Sequence, residues 1–218
     1  MKHLTYLFVS AAIYLIVMHL PVVGLIAQPI NILCTFLHEF GHAFFAIITG
    51  GSVKSMAVNM DGSGVTYTMG GNAALLTMGG YVGSALFGNI MLHLADTHTA
   101  QPVLKVLAGV MFVTSLIWFD NFITTGALML FAVVLWYMSN RHLSPYILSF
   151  LGVACIIYII QDFNVGPTSD LQAYESEVGL FPAGVWMYIW LMIVIAMTSV
   201  NLYGIIRKRR AIEEQYEY

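Results

Sequence analysis

Charged side chains are scarce: Asp, Glu, Lys and Arg together make up 9% of the 218 residues, where a soluble domain carries about 25%. So few cannot cover a water-facing surface, which excludes an ordinary soluble domain. Cysteine is scarcer still. Cys34 and Cys155 both stand in apolar runs and read as small buried side chains, which excludes a disulfide framework or a CxxC metal knuckle. Basic residues are dense only at Arg207-Lys208-Arg209-Arg210. That run reads as a cytoplasmic topology signal, and nucleic acid is excluded as a partner. The apolar stretch after Met1-Lys2-His3 lacks a small-x-small cleavage site, so it is expected to stay as a first span.

What is abundant is apolar: 59% of residues are hydrophobic and the mean hydropathy is +0.82. The surroundings expected are therefore a lipid bilayer. A crossing needs roughly 20 apolar residues, which places spans at about 4–20, 29–49, 72–95, 103–119, 121–139, 143–162 and 184–206. Spans four and five meet at Asp120-Asn121 and can equally form one re-entrant hairpin, so the count is six or seven. Pro29 suits the first turn of the second span, and Gly50-Gly51 follow its end. Between the second and third spans, residues 52–69 carry strand formers (Val53, Thr66, Tyr67) around the turn Asp61-Gly62-Ser63-Gly64, predicting a β-hairpin. In the third span Gly80, Ser84 and Gly88 recur every fourth position, as do Gly79 and Gly83, predicting close packing on another span. The fold class is thus an all-α polytopic membrane protein with one small hairpin. An outside N-terminus puts Lys105, Arg141 and the basic tail inside, and the hairpin, Asp120 and the acidic loop from Asp162 to Glu177 outside.

The second span contains His38-Glu39-Phe40-Gly41-His42, an HExxH pattern. Residues four apart on a helix stand one turn above each other, so both imidazoles can reach one zinc ion. Glu39 points about 100° away from His38 round the helix, where it can take a proton from a zinc-activated water. A chance HExxH in a chain this short is on the order of a one-in-a-hundred event. Its position in a span adds weight, because ionisable groups in lipid are costly unless paired or liganded. A catalytic zinc usually takes three protein ligands. Asp120, Asp162 and Asp170 are the candidates for the third, sharing a side with the C-terminal half of the second span. His93 falls at the opposite side, and His3, His19, His98 and His142 read as interfacial.

Leu37-His38-Glu39-Phe40-Gly41-His42-Ala43 resembles the zinc helix of the site-2 protease class of intramembrane metalloproteases. The likeness extends through Gly50-Gly51, Asp61-Gly62-Ser63-Gly64, Gly79-Gly80-Tyr81-Val82-Gly83, Tyr158-Ile159-Ile160-Gln161-Asp162, Ser169-Asp170 and Pro182-Ala183-Gly184-Val185-Trp186. It covers most of residues 30–190 and is nearest to a compact branch without PDZ domains, found in bacteria and plants. The resemblance implies a zinc endopeptidase in a bacterial plasma membrane, cutting transmembrane or juxtamembrane peptides, with a hairpin that pairs edge-on with an unfolded substrate strand. The Asn-Pro-x-x-x-Leu-Asp-Gly segment that supplies the third ligand in better-known members is absent. Asp162, which closes an apolar span and can turn back into the bundle, is preferred in its place; Asp170 is the alternative, and Asp120 stands third. Better-known members hold the hairpin on the cytosolic side, against the charge-based orientation, so the side stays open. One transmembrane domain is expected over 1–218, with the zinc helix at 29–49, the hairpin at 52–69 and a basic tail at 207–218.

Two other classes compete. A metal transporter wants a ladder of polar residues along several spans, and spans one and seven have none. A non-catalytic zinc-binding assembly factor has no need of Glu39. Composition sets neither the substrate nor the oligomeric state.

Overall fold

The computed structural model describes residues 9–10, 12–14, 16, 24–96, 98–118, 121–140, 142–163, 166 and 168–216. Its elements run α1 (Gly24–Ile48), β1 (Ser52–Val58), β2 (Gly64–Met69), α2 (Ala73–Gly79), α3 (Tyr81–His93), α4 (Ala100–Ile117), α5 (Phe122–Met138), α6 (Ser144–Phe163), α7 (Ser169–Val178) and α8 (Ala183–Tyr216). Among the described residues, four stretches are long and apolar enough to cross a membrane: Gln28–Ile48, Ala100–Ile117, Ser144–Phe163 and Ala183–Lys208. α5 is apolar but shorter, at 17 residues. The span expected at about 4–20 lies mostly outside the described residues.

The third span, expected as a crossing at about 72–95, is a broken pair, α2 and α3, bent by 53° at Gly80. Beside the bend α2 lies very close to α1. A Cβ on Gly41 would stand 2.1 Å from the Gly79 carbonyl oxygen, so the two backbones touch where any side chain would separate them. Further along α3, Gly88 meets Gly152 of α6 in the same manner. The small residues of the third span thus serve two neighbours, α1 on both sides of the bend through Gly79 and Gly83, and α6 further along through Gly88.

α1 also starts earlier than expected, at Gly24, with Pro29 inside the helix. Its end is as read: the Gly51 N–H donates to the Ala46 carbonyl at 2.8 Å and the Gly50 N–H to Ile47 at 3.0 Å. Gly50 has a φ of 87°. This is a Schellman stop, which satisfies carbonyls that a helix end leaves free.

The hairpin forms where expected, antiparallel, with Met56 opposite Thr66 and Val58 opposite Gly64. The Asp61 carboxylate closes its turn by accepting the Ser63 N–H at 2.9 Å and hydroxyl at 2.7 Å. Those two bonds hold the Asp61 carboxyl below the usual carboxylate range. Met56 and Val58 are fully buried on the face turned to α1, which packs against both strands. The outer edge of β1 is tied as well, since the Met56 N–H donates to the Trp118 carbonyl at the end of α4 at 2.9 Å. The hairpin is therefore seated on the bundle along one face and one edge.

Around this seat α3 packs on α6 and α8, and α7 on α2 and α8. Outward-facing apolar side chains are left uncovered: Phe122 is 94% exposed, Ile123 75% and Val200 72%. In water that surface would be costly; lipid covers it at no such cost. The chain is an integral membrane protein, mostly all-α, with one two-stranded hairpin.

Candidate metal centre

The HExxH run lies in the second half of α1, where the hairpin and α2 pack against it. His42 is 7% exposed and Glu39 4%. The Nδ1 of His42 is 2.8 Å from the Leu76 carbonyl oxygen of α2. A carbonyl can only accept, so Nδ1 carries a proton, and Nε2 is the nitrogen left to bind a metal. That nitrogen lies 3.1 Å from the Nε2 of His38 and 3.2 Å from the Oδ2 of Asp170. The His38 Nε2 stands 2.9 Å from the same carboxylate oxygen.

Three ligand-type atoms thus converge with no room for a solvent molecule among them. They fit a divalent cation. Zinc bonds of about 2.0–2.1 Å in tetrahedral array separate the ligands by about 3.3 Å, close to the spacings found. The space in front of both nitrogens is kept open by Gly80, because a Cβ there would lie 2.5 Å from the Nε2 of His38 and equally near that of His42. The bend at Gly80 therefore brings a residue without a side chain to the one place where a side chain would fill the centre. Burial by itself would raise the Asp170 carboxyl, but its contacts with His38 and His42 outweigh this and hold it well below the usual carboxylate range. That direction favours the deprotonated form, which a metal ligand requires. Glu39 stays outside the triangle. Its Oε2 accepts the Thr66 hydroxyl at 2.7 Å.

The profile of the Peptidase M50B-like family matches residues 8–201. The chain belongs to this family. Members of the Peptidase M50B-like family are metallopeptidases of the site-2 protease class, so the resemblance read from the zinc-helix motif and the glycine segments holds across nearly the whole chain. Neither the curated proteins nor the solved structures offer a match.

For this member of the Peptidase M50B-like family, the structure brings His38, His42 and Asp170 together and leaves Asp162 apart. The Asp162 carboxylate accepts the Tyr81 hydroxyl, and the Tyr81 ring in turn stands edge-on to His38, with centroids 4.4 Å apart. The preference for Asp162 rested on an end of α6 that turns inward. It does turn inward, but it meets a phenol. Asp170 was read as an ordinary first-turn acid of a short polar helix; α7 is that helix, and docking on α2 delivers its first turn to the imidazoles. Asp120 lies outside the described residues, as do His3 and His19. Its neighbour Asn121 caps α5, accepting the Ile123 N–H at 3.0 Å. His93 pairs with Asn201 of α8 at 3.0 Å, away from the centre. Two contributors went unread, the Leu76 carbonyl and Thr66. Thr66 was findable, since strand alternation places it on the same face as its partner Met56.

Proposed function

We propose that this chain is an intramembrane zinc endopeptidase that hydrolyses peptide bonds in membrane-embedded or juxtamembrane segments of its substrates. One observation carries the reading: two HExxH imidazoles and an aspartate from a distant helix converge within hydrogen-bond distance of one another, beside a buried glutamate. His38, His42 and Asp170 would hold the ion. Zinc, when bound, supplies a Lewis acid that polarises the scissile carbonyl and acidifies water. Glu39 receives the proton of the attacking water at its carboxylate and returns it to the departing amide nitrogen. The hairpin supports an extended substrate: β1 is tied to Trp118, while β2 pairs with no strand but β1 among the described residues, and a peptide unfolded into a strand can pair with its other edge. The setting we infer is a bacterial plasma membrane, on the strength of the resemblance to the compact branch without PDZ domains.

The test uses the full chain in lipid nanodiscs with a transmembrane peptide reporter. Wild type should carry about one zinc per chain by elemental analysis and cleave the reporter. His38→Ala should lose the metal, and Glu39→Gln should keep it while losing cleavage, since glutamine matches the size but takes no proton. Equal metal in wild type and His38→Ala, or wild-type cleavage by Glu39→Gln, overturns the reading.

A further inference from the structure

Glu39 is held from one side by the hairpin, through two independent contacts. The first is the Thr66 hydroxyl, 2.7 Å from Oε2 and 3.1 Å from the Glu39 main-chain oxygen. The second is steric. A Cβ on Gly64 would stand 2.6 Å from the Glu39 Oε1, 2.7 Å from its Cγ and 2.8 Å from Thr35 Cγ2. The backbone of β2 therefore lies against the carboxylate, with no side chain between. Gly64 and Thr66 are alternate residues of one strand, so they share the face that looks at α1. The seat itself is pinned, because the Thr35 hydroxyl of α1 donates to the Gly62 carbonyl in the turn at 2.7 Å.

We infer that Thr66 is a positioning residue for the base, and that β2 rather than α1 alone sets the Glu39 rotamer. A glutamate has three rotatable side-chain torsions, and α1 fixes only the point from which they start. The hydroxyl bond removes that freedom at Oε2, and Gly64 admits Oε1 into the gap that a side chain would fill. Oε1 accepts no hydrogen bond among the described residues, so it is the oxygen left to take the proton. A consequence follows for substrate handling. The strand that a peptide would pair with is the same strand that aims the base, so a shift of the hairpin moves both together and keeps the scissile bond and Glu39 in register. A 1 Å misplacement of a catalytic group costs about a hundredfold in rate, which gives this coupling its value.

This inference rests on the reading of Glu39 as the base, and the experiment separates the two. Thr66→Val, Thr66→Ser, Gly64→Ala and Glu39→Gln are compared in nanodiscs for kcat, KM, bound metal and thermal midpoint. Thr66→Val keeps the shape and removes the donor; loss of a hydrogen bond to a charged group should lower kcat by about ten- to a hundredfold. KM, metal and midpoint should stay near wild type. Thr66→Ser should return kcat to within about threefold. Gly64→Ala leaves the hydroxyl in place and pushes the carboxylate instead, so it should also lose kcat with metal retained, and it serves where Thr66→Val fails to fold. Full kcat in a metal-loaded Thr66→Val or Gly64→Ala, with Glu39→Gln inactive, overturns the positioning role alone. Equal loss in Thr66→Ser and Thr66→Val also overturns it, since the hydroxyl would then not matter. Wild-type cleavage by Glu39→Gln would instead remove the base assignment beneath it.

Discussion

Adding one methyl group at Gly80 should empty the metal centre while leaving the bundle folded. The ideal Cβ would stand 2.5 Å from the Nε2 of both His38 and His42, against an ordinary contact of about 3.5 Å. Something must therefore recede by about 1 Å. Neither imidazole yields freely: His42 is tied through Nδ1 to the Leu76 carbonyl, and His38 stands against the Tyr81 ring. Either the nitrogens separate, or α3 moves away and takes Tyr81 with it, and both destroy the spacing of the three ligands. Displacing ligand-supporting groups weakens metal binding by about ten- to a hundredfold, and loss of the cavity itself belongs at or beyond the upper end. Gly80→Ala should therefore retain under about a tenth of the metal of wild type after dialysis against a competing chelator. Gly126→Ala is the control, since nothing lies within 4 Å of a Cβ at that position. Elemental analysis gives the metal, and circular dichroism shows whether the helices persist. A folded Gly80→Ala chain with wild-type metal would refute the placement of the ion in front of these nitrogens.

The ligand choice separates as cleanly. Asp170→Ala should lose metal to the same extent as His38→Ala, whereas Asp162→Asn should keep it, because its carboxylate faces a phenol; the opposite pattern would return the third ligand to Asp162. The thiols test the seating of α1 on α6: the Sγ atoms of Cys34 and Cys155 are 4.0 Å apart, so a lipid-permeable oxidant should join them within one chain. Intact mass should fall by two hydrogens, and Cys155→Ser should abolish the change. Oxidation that joins two chains in place of the bond within one chain would refute that packing.

How legible the site was depended on how locally each part is encoded. His38, Glu39 and His42 sit on one helix, and their relation follows from 3.6 residues per turn. The same holds for the hairpin, whose turn carries its own bonding residues, and for the apolar spans, which follow from length. The bend at Gly80 was less accessible. A string of glycines announces close packing, but which neighbour it serves depends on α1 presenting Gly41 at the matching height. Asp170 was the hardest. It belongs to a helix that is polar and short, and only the docking of α7 on α2 brings its first turn to the imidazoles. Asp162 was nearer in expectation because it ends a span, and the end of a span is where a carboxylate is anticipated.

A different question would have put Asp170 ahead of Asp162: what each buried carboxylate meets. A carboxylate drawn out of water needs donors or a cation. Asp162 meets the Tyr81 hydroxyl, a donor. Glu39 meets the Thr66 hydroxyl, also a donor. Asp170 meets two imidazole nitrogens, and the His42 ring is turned toward it because Nδ1 donates to the Leu76 carbonyl. Three ligand-type atoms converge there at comparable distances, an arrangement that suits a metal ion. The assignment of roles follows from that difference. The carboxylates satisfied by hydroxyls are held in place by the protein, one beside His38 and one where the proposed base would stand. The one that meets both imidazoles is the carboxylate placed to serve as the proposed ligand.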